Sequence, residues 1–343
     1  VKRLGEGGAQ AGQKWVDETV YTQAGLFAFE VALFRLWESV GVVPSVVAGH
    51  SVGEITAAHV SGVLSLPDAV RLVAARARLM QGLDEPGVMV SVAGSVEWVH
   101  EWVAGQDGVW VAGVNSASST VVAGRPDAVQ ALVETIERAG VSCRWLDVSR
   151  AFHTPLMEPM LDAFAAEITG ITHHPGTIPV VSAVTGEVLT TDEWGVDYWV
   201  DQVRSPVRFD WVQEWLSTHG IGVVLEAGPR GVLTGLIREQ LAQPDQMTVV
   251  ASCRSQLTET TGFTHALAQA LAAGVEPDWN TIFPPSTRQR VDLPTYAFQH
   301  QRYWMVPKRR GGAVDVRELG LGAVVGHPLL GAGVGVADSD EWL

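Results

Sequence analysis

A serine between two glycines is the first feature of the sequence that could do chemistry. Gly49-His50-Ser51-Val52-Gly53 fits the pattern G-x-S-x-G, in which small flanking residues allow a strained turn to present the serine hydroxyl at a helix N-terminus. The amide that follows the serine, that of Val52, can then donate to an oxyanion. The pattern also occurs in ordinary turns. Because a strand is predicted before it and a helix after it, we interpret Ser51 as a nucleophile.

A serine nucleophile needs a base, which is usually a histidine. Of the ten histidines, His153 lies between two predicted units of the chain, just before a predicted helix. A structural role for it is also compatible with that position. Three others lie in predicted helices and are expected at the surface or its boundary: His59, His100 and His265. The pair His173-His174 could bind a metal, but no further ligands follow at zinc-like spacing.

Two arginines, Arg76 and Arg78, lie on the helix that is predicted to begin near Pro67. Arginines on helices are ordinarily solvated. From the residues alone, both are therefore expected to be surface charges.

The elements that must position these residues are those of an α/β core. Leu26, Phe29, Leu33 and Leu36 recur at helical spacing, which predicts a buried amphipathic helix from about Thr22 to Val40. The turn that carries Ser51 lies between a predicted strand at 45–48 and a predicted helix at 54–60. Further core elements are predicted at 154–168 (helix), 179–182 (strand), 209–218 (helix), 223–226 (strand), 232–241 (helix), 248–251 (strand) and 262–273 (helix).

Residues 88–148 have a different pattern, in which short strands and helices alternate. They are predicted as strand 88–93, helix 96–104, strand 108–115, strand 120–124, helix 126–139 and strand 141–148. This βαββαβ order is that of a ferredoxin-like unit. The fold class is therefore predicted as α/β, a hydrolase-like core with an inserted ferredoxin-like subdomain.

Composition excludes several classes of function. A net charge of -15 is opposite in sign to the basic surface expected of a protein that binds nucleic acid or an anionic membrane. No apolar run is long enough to span a bilayer, and the first residues lack a basic start followed by an apolar stretch, so secretion is not expected. The two cysteines, Cys143 and Cys253, are far apart and are expected to be reduced core residues of a cytoplasmic protein. Because the chain begins at Val1 and not at Met, we expect a piece of a longer protein.

Several motifs together resemble the acyltransferase domains of modular type I polyketide synthases, relatives of the malonyl-CoA:acyl-carrier-protein transacylases. The motifs are Gly49-His50-Ser51-Val52-Gly53-Glu54, Arg76-Ala77-Arg78-Leu79-Met80-Gln81, Ala151-Phe152-His153-Thr154-Pro155-Leu156-Met157, Ser205-Pro206-Val207-Arg208-Phe209 and Glu226-Ala227-Gly228-Pro229. Their order and spacing match along roughly 17–241. Leu293-Pro294-Thr295-Tyr296-Ala297-Phe298 and Tyr303-Trp304 resemble the linker that follows such domains, and the tail from His327 resembles the start of a dehydratase domain.

The resemblance implies a role for each matching residue. Ser51 is the residue that is acylated, His153 is the base, and the backbone carbonyl of Gln202 orients His153. The Val52 amide donates to the oxyanion. Arg76 pairs with the free carboxylate of the extender unit, and a planar guanidinium suits that task. His50 and Phe152 complete the implied substrate-binding set.

The resemblance also implies substrates and partners. Malonyl-CoA supplies the acyl group, the phosphopantetheine thiol of an acyl carrier protein receives it, and no bound cofactor or metal is needed. Ketosynthase and dehydratase domains are the expected neighbours. The chain is expected to divide into an acyltransferase domain at 1–274, a linker at 275–312 and the start of a dehydratase domain at 313–343.

One departure from the family pattern matters. Family members carry a Gly-Gln-Gly-x-Gln stretch whose glutamine helps to form the oxyanion hole, and the present sequence begins after it. Loss of one such donor costs about 10²- to 10³-fold in turnover. Two alternatives stay open. One is a serine esterase or thioesterase-like hydrolase, which would share the serine turn and the α/β core, and the other is an inert fragment that only docks neighbouring domains.

Overall fold

The computed structural model describes residues 18–241, 247–287, 292 and 294–299. The chain divides after Arg288 into two units, and every helix and strand given below lies in the first. The predicted linker beyond residue 287 lies mostly outside the described residues. The predicted dehydratase start at 313–343 lies wholly outside them.

The serine motif lies at the centre of a helical layer. The first elements are α1 (Thr19–Ser39), β1 (Val47–Ala48), α2 (Gly53–Val60) and α3 (Leu66–Gln81). Two later helices, α6 (Glu158–Ile168) and α7 (Val196–Arg204), contribute to the same buried cluster, which includes Ile55, Leu72, Met80, Phe164 and Trp199. The helix after Ser51 is therefore surrounded by apolar side chains from distant parts of the chain.

The ferredoxin-like subdomain is confirmed. Its elements are β2 (Val88–Val92), α4 (Val96–Val103), β3 (Val109–Ser116), β4 (Ser119–Gly124), α5 (Pro126–Arg138) and β5 (Cys143–Trp145). The four strands form an antiparallel sheet in the order β5-β2-β4-β3. One face packs on α4 and α5 in a core of its own. The opposite face packs around Met89, Ala123 and Ala151, with Phe152 at its edge.

The chain then returns to the core through parallel pairings. β6 (Val180–Val181) pairs with β1, and β7 (Val207–Arg208) adds a parallel strand to β3 of the subdomain. β8 (Val223–Glu226) pairs with β9 (Thr248–Ala251). The accompanying helices are α8 (Phe209–Thr218), α9 (Val232–Gln240), α10 (Glu259–Ala272) and α11 (Trp279–Ile282).

Two predictions about helices and strands need correction. The inward face of α1 carries Thr19, Gln23, Phe27, Leu33 and Trp37, whereas the predicted stripe residues Phe29 and Leu36 are exposed. Because α1 is apolar around much of its circumference, hydrophobic spacing did not determine which face turns inward. The predicted strand at 141–148 is shorter than expected, since only Cys143–Trp145 pairs with β2.

Helix α7 was not predicted, although Val196, Trp199 and Val203 recur at helical spacing. Within the described part of the chain, no helix is both long and apolar enough to cross a membrane. Cys143 and Cys253 are free thiols that lie half-buried at the edges of separate clusters, and not in a core as predicted.

Candidate active site

The turn at Ser51 is strained in the way that the sequence pattern predicts. Ser51 has a φ of 55°, a left-handed conformation that side chains other than glycine rarely adopt. A Cβ atom on Gly49 would lie 2.1 Å from the Glu54 nitrogen, so only glycine fits there. Together, the two residues bring the chain from β1 into α2 with the serine hydroxyl at the N-terminus of the helix.

His153 contacts Ser51 directly, although the two residues are 102 positions apart in the sequence. The Ser51 Oγ–His153 Nε2 distance is 2.7 Å. The other ring nitrogen, Nδ1, lies 3.1 Å from the carbonyl oxygens of both Gln202 and Ser205. Carbonyl oxygens only accept, so this network assigns the proton to Nδ1 and leaves Nε2 free to accept the serine proton. The Gln202 carbonyl contact was predicted, whereas the Ser205 contact was not.

The surroundings of His153 keep its ring neutral. Burial lowers the pKa of His153 from 6.5 to about 3, and the nearby charges of Arg76 and His50 act in the same direction. His153 also has a positive φ, of 59°. A neutral imidazole that faces a serine hydroxyl can serve as a general base.

Arg76 lies next to Ser51, where the resemblance placed it, and it is buried and not exposed as its place on a helix alone suggested. Its Nη1 donates to Gln23 Oε1 at 2.6 Å, and its Nη2 donates to Ser51 Oγ at 3.1 Å. Among the described residues, no acceptor lies within hydrogen-bond distance of Nε. Burial lowers the pKa of Arg76 to about 10, while Glu54 opposes the shift, so the guanidinium stays charged near pH 7. A buried cation with unused donors next to Ser51 can bind an anionic group.

The remaining predicted residues surround this centre. Val52 is buried, and its amide has no hydrogen-bond acceptor within the described segments. His50 directs Nε2 to Asn115 Oδ1 at 3.0 Å, which links the serine turn to the subdomain. Phe152 is half-buried where the helical core meets the subdomain sheet. The structure therefore brings four of the predicted site residues into direct contact: Ser51, His153, Arg76 and Gln202. The other three, His50, Val52 and Phe152, are sequence neighbours of Ser51 or His153.

Sequence reasoning missed two polar side chains of the site. Gln23 is a buried amide on an apolar helix face, and it contacts Arg76. Glu54 stands in the serine motif and is fully buried, but no role was assigned to it. For Gln23, the signal was a polar residue on a helix that is apolar around much of its circumference; for Glu54, it was a place inside the serine motif.

Two further predictions concerned residues near the site. His173 Nε2 accepts a hydrogen bond from Trp199 Nε1 at 3.0 Å, so this nitrogen has a structural partner. Arg78 is exposed and pairs with Glu167, as expected for a surface charge.

The fold and the site together define a class of protein: an α/β protein with a serine–histidine pair at a strained turn, suited to acyl transfer. The sequence profile of the acyl transferase domain family matches residues 9–277. The chain belongs to this family and is an acyltransferase of the kind found in polyketide synthases.

Individual relatives agree with this assignment. Polyketide synthase GfsA of Streptomyces halstedii is 45% identical over 339 residues, which are 98% of this chain and 4% of the relative. GfsB of the same organism is 46% identical, over 96% of this chain and 6% of the relative. The chain thus spans only a small part of these curated relatives.

Solved structures support both fold and class. The acyltransferase domain from the second module of the salinomycin polyketide synthase is 46% identical, with a TM-score of 0.79 over 84% of this chain and 68% of that one. FabD from Acinetobacter baumannii is 29% identical, with a TM-score of 0.70 over 78% of this chain and 85% of that one. These relatives confirm the α/β prediction and do not favour the esterase or inert-fragment alternatives.

Proposed function

We propose that this acyltransferase moves a malonyl unit from malonyl-CoA to Ser51 and then to the phosphopantetheine thiol of an acyl carrier protein. The observation that carries the proposal is the convergence on Ser51 Oγ of a neutral base, His153 Nε2 at 2.7 Å, and a buried cation, Arg76 Nη2 at 3.1 Å. The base suits attack on a thioester, and the cation suits the free carboxylate of the substrate.

The first half of the reaction acylates the serine. His153 Nε2 takes the Ser51 proton as Oγ attacks the thioester carbon, and the Val52 amide donates to the oxyanion. The carbon–sulfur bond then breaks, and the proton on His153 passes to the coenzyme A thiolate as it leaves. The carbonyl oxygens of Gln202 and Ser205 accept from Nδ1 and hold the ring in the required tautomer.

The second half reverses these roles. His153 takes the proton of the carrier thiol, and the sulfur attacks the acyl carbon of the acyl-serine. The bond between this carbon and Ser51 Oγ then breaks, and His153 returns the proton to Oγ. This acyl transfer needs no bound cofactor.

Arg76 is proposed to bind the malonyl carboxylate. Because Nη1 is engaged by Gln23, the edge formed by Nε and Nη2 is the one that can receive two carboxylate oxygens. Two parallel charge-assisted hydrogen bonds favour a planar carboxylate over a methyl group. A hydrolase for uncharged esters has no use for such an edge.

The test is covalent loading of Ser51. The purified protein is incubated with malonyl-CoA, and intact-mass spectrometry is expected to show a single malonyl adduct. The variant Ser51→Ala is expected to show none, because the acyl-enzyme requires that hydroxyl. The matched control Ser61→Ala removes another buried hydroxyl near the end of α2 and should still be loaded. An undiminished adduct in Ser51→Ala would place the nucleophile elsewhere.

The extender unit is proposed to be malonyl and not methylmalonyl. Val52 stands where methylmalonyl-selective relatives tend to carry glutamine, and Phe152 stands where they tend to carry serine. The Phe152 ring is half-buried directly before His153, and its bulk would occupy the space that an α-methyl branch needs.

Competition between malonyl-CoA and methylmalonyl-CoA tests this choice. We expect malonyl to be preferred by about 10- to 200-fold, the discrimination that one methylene supports. Phe152→Ser is expected to narrow the preference because it opens space for the branch. Equal loading by the unchanged protein would refute the assignment.

The partners follow from the same proposal. The relatives are polyketide synthases many times longer than this chain, which supports a carrier protein and neighbouring ketosynthase and dehydratase domains as partners. The domain boundaries, with a linker at 275–312 and a dehydratase start at 313–343, stay predictions, as does the cytoplasmic location.

A further inference from the structure

A fully buried carboxylate lies behind the serine turn. Glu54, on the first turn of α2, has 0% of its surface exposed. It accepts hydrogen bonds from the Ala183 amide at 3.1 Å, the Tyr198 hydroxyl at 2.5 Å and the Gln202 side-chain amide at 3.2 Å. A buried carboxylate is costly unless it is hydrogen-bonded. These three donors come from two separate later parts of the chain, so Glu54 joins them to the helix that follows Ser51.

Gln202 connects this carboxylate to both members of the serine–histidine pair. Its side-chain Nε2 donates to the Ser51 carbonyl oxygen at 2.8 Å as well as to Glu54 Oε2. Its backbone carbonyl accepts from His153 Nδ1 at 3.1 Å. One residue therefore contacts the backbone of the nucleophile and the ring of the base.

Two acceptors set the orientation of the Gln202 amide, and Glu54 is one of them. The Ser51 carbonyl and the Glu54 carboxylate are both acceptors, so the amide nitrogen must face them. A flipped amide would place its oxygen against two other oxygens. Gln202 Oε1 has no donor among the described residues, so nothing else there sets the orientation.

The residues held in this way are the strained ones. Ser51 and His153 are the non-glycine residues with positive φ in the described part of the chain. Such conformations are unfavourable and persist only where the surroundings over-determine them. The contacts of Gln202 with both residues provide such surroundings.

We infer that Glu54 is a positioning residue for the Ser51–His153 pair and that it acts through the side chain of Gln202. The inference rests on the proposed roles of Ser51 and His153. Glu54 reaches neither reacting atom. It orients the amide that fixes the Ser51 carbonyl, and this keeps Oγ within reach of Nε2.

The test measures the reactivity of Ser51 without the natural substrate. A small fluorophosphonate phosphonylates an activated serine, with fluoride as the leaving group, and needs no carboxylate-binding arginine. Glu54→Gln presents an NH₂ group to donors that need an acceptor. We expect the second-order rate of phosphonylation to fall about 10- to 100-fold, the cost of a misplacement of about 1 Å. The kcat/KM values for malonyl and acetyl loading should fall together, through kcat more than KM.

The matched control is Glu97→Gln. Glu97 occupies the same position on the first turn of α4 that Glu54 occupies on α2, but it is exposed and lies in the subdomain. It controls for the loss of a negative charge at a helix N-terminus, and its phosphonylation rate should equal that of the unchanged protein. Circular dichroism and thermal melting establish that each variant is folded.

A double-mutant cycle tests the route through Gln202. In a Gln202→Ala background, Glu54→Gln should lower the phosphonylation rate little further, because the amide that Glu54 orients is already absent. If the losses of phosphonylation rate in the two single variants add in the double variant, the inference is overturned. Unchanged phosphonylation in folded Glu54→Gln would overturn it as well. A selective loss of malonyl loading would also overturn it, since that pattern shows Glu54 acting on Arg76.

Gln202→Ala keeps the test decisive if Glu54→Gln does not fold. This variant removes the side-chain link and retains the backbone carbonyl that contacts His153, so unchanged phosphonylation in it would equally overturn the inference. Failure of the proposed function looks different: the unchanged protein would react with the fluorophosphonate but would take no malonyl group from malonyl-CoA.

Discussion

At the scale of single residues, the chemistry depends on two neighbours of one oxygen. Ser51 Oγ lies 2.7 Å from a neutral imidazole and 3.1 Å from a buried guanidinium. The imidazole can take the proton, whereas the guanidinium has donors to offer to an incoming anion. Because both are buried, their interactions with the substrate are screened by water less than at a surface.

Replacing Arg76 should change substrate selection and leave the chemical step largely intact. Arg76→Ala is expected to lower kcat/KM for malonyl-CoA by about 10- to 100-fold, the worth of a hydrogen bond to a charged group. Acetyl-CoA has no carboxylate and should be spared or favoured. The measured quantity is the ratio of the two kcat/KM values.

Arg78→Ala is the matched control, since Arg78 lies two positions further along the same helix and is exposed. It should leave the ratio unchanged. If Arg76→Ala behaves like Arg78→Ala, the carboxylate is bound elsewhere.

The pH dependence follows from the buried base. With a pKa of about 3 for His153, the ring stays neutral from pH 7 down to pH 5. The kcat/KM for loading should therefore be nearly constant over this range, whereas the neutral fraction of a base with a pKa of 6.5 would fall about 25-fold from pH 7 to pH 5. In Arg76→Ala the pKa of His153 should rise, because a nearby positive charge is removed. The acid limb of the pH–rate profile should therefore move to higher pH.

The fold must be monitored in the same experiment. The unfolded imidazole binds a proton below pH 6.5 and the folded one does not, so His153 makes the fold less stable as the pH falls from 6.5 towards 3. Circular dichroism at each pH separates this loss from a titration of the base. A sharp loss of rate near pH 6.5 in the folded protein would contradict the low pKa.

At the scale of elements, α3 positions Arg76 and is stabilised at both ends. The Ser65 side chain caps its N-terminus by accepting from the Asp68 amide. At its C-terminus, Arg150 Nη2 donates to the Gln81 carbonyl at 3.1 Å. Malonyl-type relatives often carry histidine where this chain carries Arg150, a long cation that was expected near the mouth of the substrate pocket. The structure instead turns it towards the end of a helix.

Arg150→Ala should therefore affect stability more than selectivity. A cation at a helix C-terminus contributes about 0.3–1 kcal/mol, and we expect the free energy of unfolding to fall by that amount in a denaturant titration. The malonyl to methylmalonyl preference should not change. A preference that changes several-fold would show that Arg150 also contacts the extender unit.

At the scale of the whole molecule, the active site is assembled where the helical core and the inserted subdomain meet. Ser51 belongs to the core, whereas His153 lies where the chain leaves the subdomain. The β3–β7 pairing and the His50–Asn115 hydrogen bond link the two parts. Each part has its own apolar cluster, so the position of His153 relative to Ser51 depends on how the two parts pack. Contacts that cross this junction, such as those of Phe152, therefore bear on both fold and selectivity.

The sequence by itself determined the features that depend on local pattern. A serine between glycines, flanked by strand and helix signals, predicted the strained turn. Alternating short elements at 88–148 predicted the subdomain, because strand and helix periodicities are local properties. The order of the motifs indicated the family and, through it, the pairing of Ser51 with His153 and Gln202.

Only the tertiary structure decided what depends on burial and on contacts between distant segments. The motifs had implied that Arg76 binds the substrate, but only the structure shows that it is buried beside Ser51. The structure also turns Arg150 towards the end of a helix and places Gln23 and Glu54 in the site. It also lowered the pKa of His153, since desolvation depends on everything that packs around a group. The physical reason is that burial is a property of the assembled fold, and no stretch of sequence specifies by itself which distant atoms will replace water around a side chain.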